Sequence, residues 1–289
     1  MSRLIVNADD FGLTAGVNRA IVELAAAGAV TSATLMSRAG ATAEAIEMAR
    51  SESSLGVGCH VVLVDGEPVL PHAQISSLIA PGTGSFLPTL SSFLARLFTG
   101  RIRAAEIEAE ATAQIALLQS KGLTLTHIDT HKHTHLFPTV LKPLLRAARA
   151  AGIRAISNPF EPEWSVYATP RAPWLRSAQM RLTRHFEPAF RRILNEHEFA
   201  TTDGTLGVLA TGTLDAAALS ALLQRLPAGT WELVTHPGYN DGDLARIRTR
   251  LRASRQHELS ALRSAGRIAG IEYISFASLG LLPSIQRQD

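Results

Sequence analysis

Apolar residues along this chain follow two rhythms. Short runs in which nearly every position is apolar or β-branched read as strands, and longer stretches with apolar residues three and four apart read as amphipathic helices. The strand-like runs are 3–8 (RLIVNA), 31–36 (TSATLM), 57–64 (VGCHVVLV), 125–131 (LTHIDTH), 155–160 (AISNPF), 206–211 (LGVLAT), 231–236 (WELVTH) and 273–279 (YISFASL). Helical spacing falls near 16–27, 40–51, 103–121, 138–151, 174–196, 214–225 and 243–265. Strands that alternate with helices in this way predict βα units around a parallel sheet. The expected fold is α/β, a distorted or incomplete (β/α)8 TIM-like barrel forming a single domain over 1–289.

Two stretches break the rhythm. Residues 64–100 are rich in Pro, Gly and Ser, and 158–175 contain NPFEPEW and TPRAPW. Neither has the composition of a flexible interdomain linker, so both are expected as loop insertions over one face of the barrel, where substrate is contacted.

Composition narrows the class. With 46% hydrophobic and 18% charged residues the chain can build a large core, which excludes global disorder. No run of 18 apolar residues is present, and the chain passes from MSR directly into a strand. Neither a membrane span nor a signal peptide is expected, and the setting is cytoplasmic. Cys59 is the only cysteine, which excludes an intramolecular disulfide framework and cysteine-rich zinc modules. The formal charge is +3, and the arginines of 181–192 lie on a stretch with helical apolar spacing. That pattern reads as a solvated helix face rather than a nucleic-acid surface.

The chemistry-bearing residues gather where the predicted strands end. Asp9 and Asp10 close the first, His60 lies in or just past the third, THIDTHKHTHLFP closes the fourth, and His236 closes the seventh. In a parallel barrel those ends meet at one mouth. His127, Asp129, His131, His133 and His135 occupy every second position, and burying five such groups without partners would be costly. A divalent cation with carboxylate partners for the imidazoles removes that cost. One ion needs about three protein ligands, so some of the five must support ligands or face substrate. His127, the deepest, is expected to support packing, and Asp129 to accept an N–H from a ligating imidazole. Taken singly, Asp10 or Thr14 could be a helix cap, His60 a core histidine and His236 a turn histidine, since HPG sets a tight turn. Cys59 should face away from His60 as a small buried hydrophobe. His72, His185, His197 and His257 carry no matching signature.

LIVNADDFGLTAGVNRAI, GVGCHVVL, THIDTHKHTHLFP and THPGY, in this order, resemble the YdjC-like carbohydrate deacetylases, relatives of chitooligosaccharide deacetylase. The resemblance implies a metal-dependent hydrolase that removes the N-acetyl group of an amino sugar. By position it implies Asp10, His60 and His131 as metal ligands, Asp9 as general base and His236 as general acid. Asp129, His133, His135 and Trp164 would support ligands or touch substrate. One divalent ion is expected, Zn2+ or Mg2+, the ligand types suiting either. HVVLVDGEPVLP, NPFEPEW and LQRLPAGTWELVTHPG are similar to the hopanoid-biosynthesis-associated branch, which implies a lipid-linked acetylated amino sugar. The basic, Trp-containing segment 164–192 would then rest against lipid headgroups. A homodimer is the default assembly. One position departs from the family pattern: Ser157 stands where an arginine is expected, and Arg154 would face the other way. A metal-dependent phosphoesterase and a non-catalytic glycan- or metal-binding protein are the competing readings.

Overall fold

A computed structural model describes residues 1–169 and 174–279. Residues 170–173, within the second expected insertion and the basic segment, lie outside the described residues. Among the described residues seven strands form one parallel sheet: β1 (Ser2–Phe11), β2 (Ser32–Leu35), β3 (Gly56–Val61), β4 (Ile128–Thr130), β5 (Gly204–Leu206), β6 (Gly229–Thr235) and β7 (Ile271–Tyr273). Their order is β4-β3-β2-β1-β6-β5, and β7 pairs with the first residues of β1. The central strand β1 is buried along nearly its whole length, as expected of a parallel strand covered on both faces.

The sheet curls back on itself through an irregular segment. Ile128 donates to Ala155 O and Ser157 to Ile128 O, while Ile156 donates to Ala200 O and Thr205 to Phe160 O. Residues 155–160 therefore fill a stave between β4 and β5, although only Ala155 and Ile156 form bridges. Pro159 has no N–H to give and Asn158 turns its side chain onto Thr202 O and the Phe160 N–H, so regular pairing stops there. The described residues thus form a curled parallel sheet of fewer than eight regular strands, a distorted TIM-like barrel.

Helices pack outside the sheet, and one hydrophobic cluster runs from Leu4 in β1 through Ile115 and Leu141 to Leu262. Several sequence expectations need correcting. The run 273–279 gives a strand only to Tyr273 and then a short helix, Phe276–Leu279. The helix expected over 174–196 is two, Trp174–Thr183 and Glu187–His197, because Pro188 can sit in a first turn but not in a helix interior. The stretch 243–265 likewise divides into Gly242–Arg246 and Arg252–Ala265. Residues 64–100 contain a helix of their own, Leu90–Phe98. They are tied down by two side chains of one helix, Ala104–Ser120: Glu106 takes the Ser77 N–H and Glu110 those of Val69 and Leu70, while Gln114 takes that of Val62 just before them. The second insertion contains the helix Glu163–Ala168.

Candidate active site

Adjacent residues on a strand point to opposite faces, yet Asp9 and Asp10 both reach the same cluster. The register between β1 and β2 shifts between Ala8 and Phe11, and Asp10 has φ 63°, in the left-handed region. This bulge turns the second carboxylate toward the first, a device common beside active sites. Thr14, not Asp10, caps the following helix by accepting the Val17 N–H, so Asp10 is free for other partners.

Asp10, His60 and His131 come together. Asp10 Oδ1 lies 3.5 Å from His60 Nε2 and 3.3 Å from His131 Nδ1, and the two imidazole nitrogens are 3.3 Å apart. Three donors at about 2.0–2.1 Å from one tetrahedral ion would be roughly 3.3–3.4 Å apart. Donor types and spacing therefore fit a divalent cation, and these residues could hold one. His60 gives its other nitrogen, Nδ1, to Asp129 Oδ1 at 2.7 Å, the carboxylate contact that fixes the tautomer of a metal-binding imidazole.

The electrostatics favour positive charge at this point. Burial by itself pulls the His60 imidazole down, but Asp129, with Asp9 and Asp10, overrides it and raises the pKa to about 10. Burial would raise Asp10, and Arg255, then His131 and His60, hold it well below the usual carboxylate range. Burial and the neighbouring Asp129 carboxylate push Asp9 well up, with His60 opposing. Asp129 is buried too, but His60, through charge and hydrogen bond, keeps it below its ordinary value.

A second His/Asp group, Asp9, His60 and Asp129, surrounds the Thr34 hydroxyl. Thr34 Oγ1 is 3.1 Å from Asp9 Oδ1, from His60 Nδ1 and from Asp129 Oδ2, so this group is already bridged by a protein hydroxyl. Asn7 Nδ2 adds a bond to Asp9 Oδ1 at 3.0 Å.

His236, at the end of β6, places Nε2 3.8 Å from Asp9 Oδ2. Burial lowers its pKa to about 3, so its resting form at neutral pH is uncharged. Its backbone N–H goes to Glu258 Oε2, which also lies 4.0 Å from its Nδ1. Burial lifts Glu258 to about 7.

The rest of the histidine run is not one strand face. β4 ends at Thr130, and His131–Leu136 is a 3-10 turn in which Lys132 and His133 have φ 60° and 51°. His135 is buried and bonded through Nδ1 to Thr130 Oγ1. His133 has a buried, unpartnered Nδ1. His127 packs flat on Phe276 at 3.9 Å between ring centres. Trp164 is not brought to the cluster: it packs edge-on against Trp231, five residues before His236 on β6. Trp174 is 75% exposed. Ser157 donates to the buried Glu232 at 2.8 Å, and the guanidinium that touches a site carboxylate belongs to Arg255. Thr34, Arg255, Glu258 and Asn7 escaped the sequence reading. Thr34 reads there as a β-branched strand residue, and Arg255 is one of several arginines in a polar helix.

The fold and site together define a parallel-barrel α/β protein with a buried Asp/His cluster at the carboxyl ends of its strands. Residues 3–267 match the family described as YdjC-like protein, and the chain belongs to that family. It is 33% identical to the carbohydrate deacetylase of Mus musculus over 82% of this chain and 78% of the mouse protein. It is 40% identical to that of Brevibacillus brevis over 50% of this chain, a match spanning 55% of the bacterial protein's length. Among solved structures, a protein of Enterococcus faecalis V583 named for cellobiose-phosphate cleavage shares the fold with a TM-score of 0.76 and 24% identity, over 96% of this chain and 98% of its own.

Proposed function

We propose that the chain is a metal-dependent carbohydrate N-deacetylase, one catalytic domain over 1–289 with its insertions at 64–100 and 158–175. The observation that carries this reading is the near-equilateral set of Asp10 Oδ1, His60 Nε2 and His131 Nδ1, with Asp9 and His236 beside it. The deacetylase names of its relatives supply the substrate class. Asp10, His60 and His131 would hold the ion, and their spacing suits tetrahedral zinc better than octahedral magnesium, whose ligand edges are about 2.9 Å. When bound, such an ion polarises the acetyl carbonyl and acidifies a water.

The chain's own groups then handle the protons. Asp9, with its raised affinity for a proton, takes one from the attacking water. His236 delivers one to the amine nitrogen, which does not leave as an amide anion. Because burial keeps His236 uncharged at rest, its proton must arrive during the cycle, and Asp9 Oδ2 at 3.8 Å is the near source. Asp129 and Thr34 hold His60 and Asp9 in place. The hydroxyl bridge at Asp9, His60 and Asp129 disfavours the two-ion arrangement of many phosphoesterases. The substrate in this reading contains N-acetylglucosamine, either a chitooligosaccharide or a lipid-linked sugar of the hopanoid type.

The test is acetate release from N-acetylglucosamine oligomers and from a GlcNAc-bearing lipid. Metal-loaded wild type should release acetate, Asp9→Asn and His131→Ala should lose at least about 100-fold in rate, and chelation should abolish release. Metal-loaded protein that releases no acetate from either substrate would overturn the reading.

A further inference from the structure

Arg255 is almost wholly buried and comes from the helix Arg252–Ala265, whose Glu258 accepts the His236 N–H. It threads beneath the turn after His236: a Cβ on Gly238 would lie 3.2 Å from Arg255 Cδ, and the Gly238 N–H donates to Arg255 O. Arginine usually engages a carboxylate with two donors. Here Nη2 alone reaches Asp10 Oδ2, while Nε and Nη1 are buried without partners among the described residues. Burying a guanidinium in this state is expensive, and removing one partner of such a pair exposes the cost. The contact has a geometric consequence. With Oδ2 taken, Asp10 turns only Oδ1 toward His60 and His131. The residue so held has φ 63°, a left-handed conformation that is unfavourable for a non-glycine residue and persists only where its surroundings enforce it.

We propose that Arg255 is a positioning residue of the catalytic centre, locking the bulged Asp10 so that a single oxygen faces the two imidazoles. Among the described residues it is the arginine that bonds a carboxylate of the cluster, reaching it from the helix after β6 rather than from Ser157 after β4. This inference rests on the metal-site reading above and names how that site is pre-organised.

The experiment measures zinc affinity of the full chain by competition with a chromophoric chelator, alongside the melting temperature of the metal-free protein. Arg255→Met should weaken zinc by about 10–100-fold, the usual effect of losing a group that orients a ligand. Arg255→Lys, which keeps the charge and one donor, should recover part of the loss, and it carries the test should the Met variant not fold. In an Asp10→Asn background Arg255→Met should have no further effect, because the arginine acts through that carboxylate. A purely structural ion pair would lower the metal-free melting temperature and leave affinity alone. Both variants binding zinc within about twofold of wild type would therefore overturn the inference. Wild type that binds no divalent cation would sink the metal-site reading as well, so the two failures are told apart.

Discussion

Glu232 lies inside the barrel on β6, fully buried, with Oε2 accepting from Ser157, Asn158 and Thr205 and Oε1 accepting from nothing. Burial raises its pKa to about 8; the Ser157 bond opposes this and the Asp129 charge adds to it. The native state therefore keeps a proton that the unfolded chain, with a value near 4.5, gives up. Stability from this group is full below about 4.5 and is lost as pH rises toward 8. Glu232→Gln cannot ionise and retains an acceptor for Ser157. Denaturation curves of variant and wild type should nearly coincide at pH 5 and separate in favour of the variant by about 1–4 kcal/mol at pH 8; a constant offset would refute the assignment. The sequence offered Glu232 as one polar letter in WELVTH, with no sign that it faces the interior. By contrast the convergence of Asp10, His60 and His131 was legible, though through the motif resemblance, since spacing alone did not separate His131 from His133. Thr34 and Arg255 were not, since each acts through a partner distant in sequence that only the folded sheet brings near.

At the scale of elements, period-two spacing places the histidine run on one side only while a strand lasts, and side-chain hydrogen bonds end that strand at Thr130. Thr130 Oγ1 accepts the His135 N–H and bonds the Thr134 and His135 side chains, offering the backbone a turn in place of a ladder. The left-handed pair Lys132 and His133 completes that turn, and Lys132 is anchored to Asp65 of the first insertion at 2.6 Å. His127 fell to packing as expected: burial lowers its pKa to about 3, and its ring fills the space between Phe276 and Gly58. A Cβ at Gly58 would lie 2.6 Å from His127 Cε1. Gly58→Ala should therefore destabilise the protein by about 1–3 kcal/mol in chemical denaturation, as overpacking does. Unchanged stability would mean that His127 can leave the stack.

At the scale of the molecule, parallel βα order was readable because its two periodicities differ, while the number of staves was not, because AISNPF has strand composition but only two bridged residues. No described helix is long and apolar enough to cross a membrane. The surface nevertheless carries large exposed apolar groups, and three of them, Tyr167, Trp174 and Leu182, lie on the helices Glu163–Ala168 and Trp174–Thr183 that follow the irregular stave. Tyr167 shares a small cavity with Met180, Arg181 and Arg184. Of the arginines expected to meet headgroups, Arg184 and Arg191 are engaged by Glu187 and Arg192 by Glu196, which leaves the aromatic and aliphatic tips with Arg181 as the stronger candidates for lipid contact. If the substrate is lipid-borne, the triple variant Tyr167→Ser, Trp174→Ser, Leu182→Ser should bind anionic vesicles at least about fivefold more weakly than wild type, at roughly 1 kcal/mol lost in all. It should release acetate from soluble N-acetylglucosamine oligomers at the wild-type rate, since none of the three bonds a residue of the Asp/His cluster. Vesicle binding that survives the triple variant but falls on charge reversal of Arg181 and Arg184 would assign the contact to charge alone, and wild type that ignores vesicles would favour a soluble oligosaccharide.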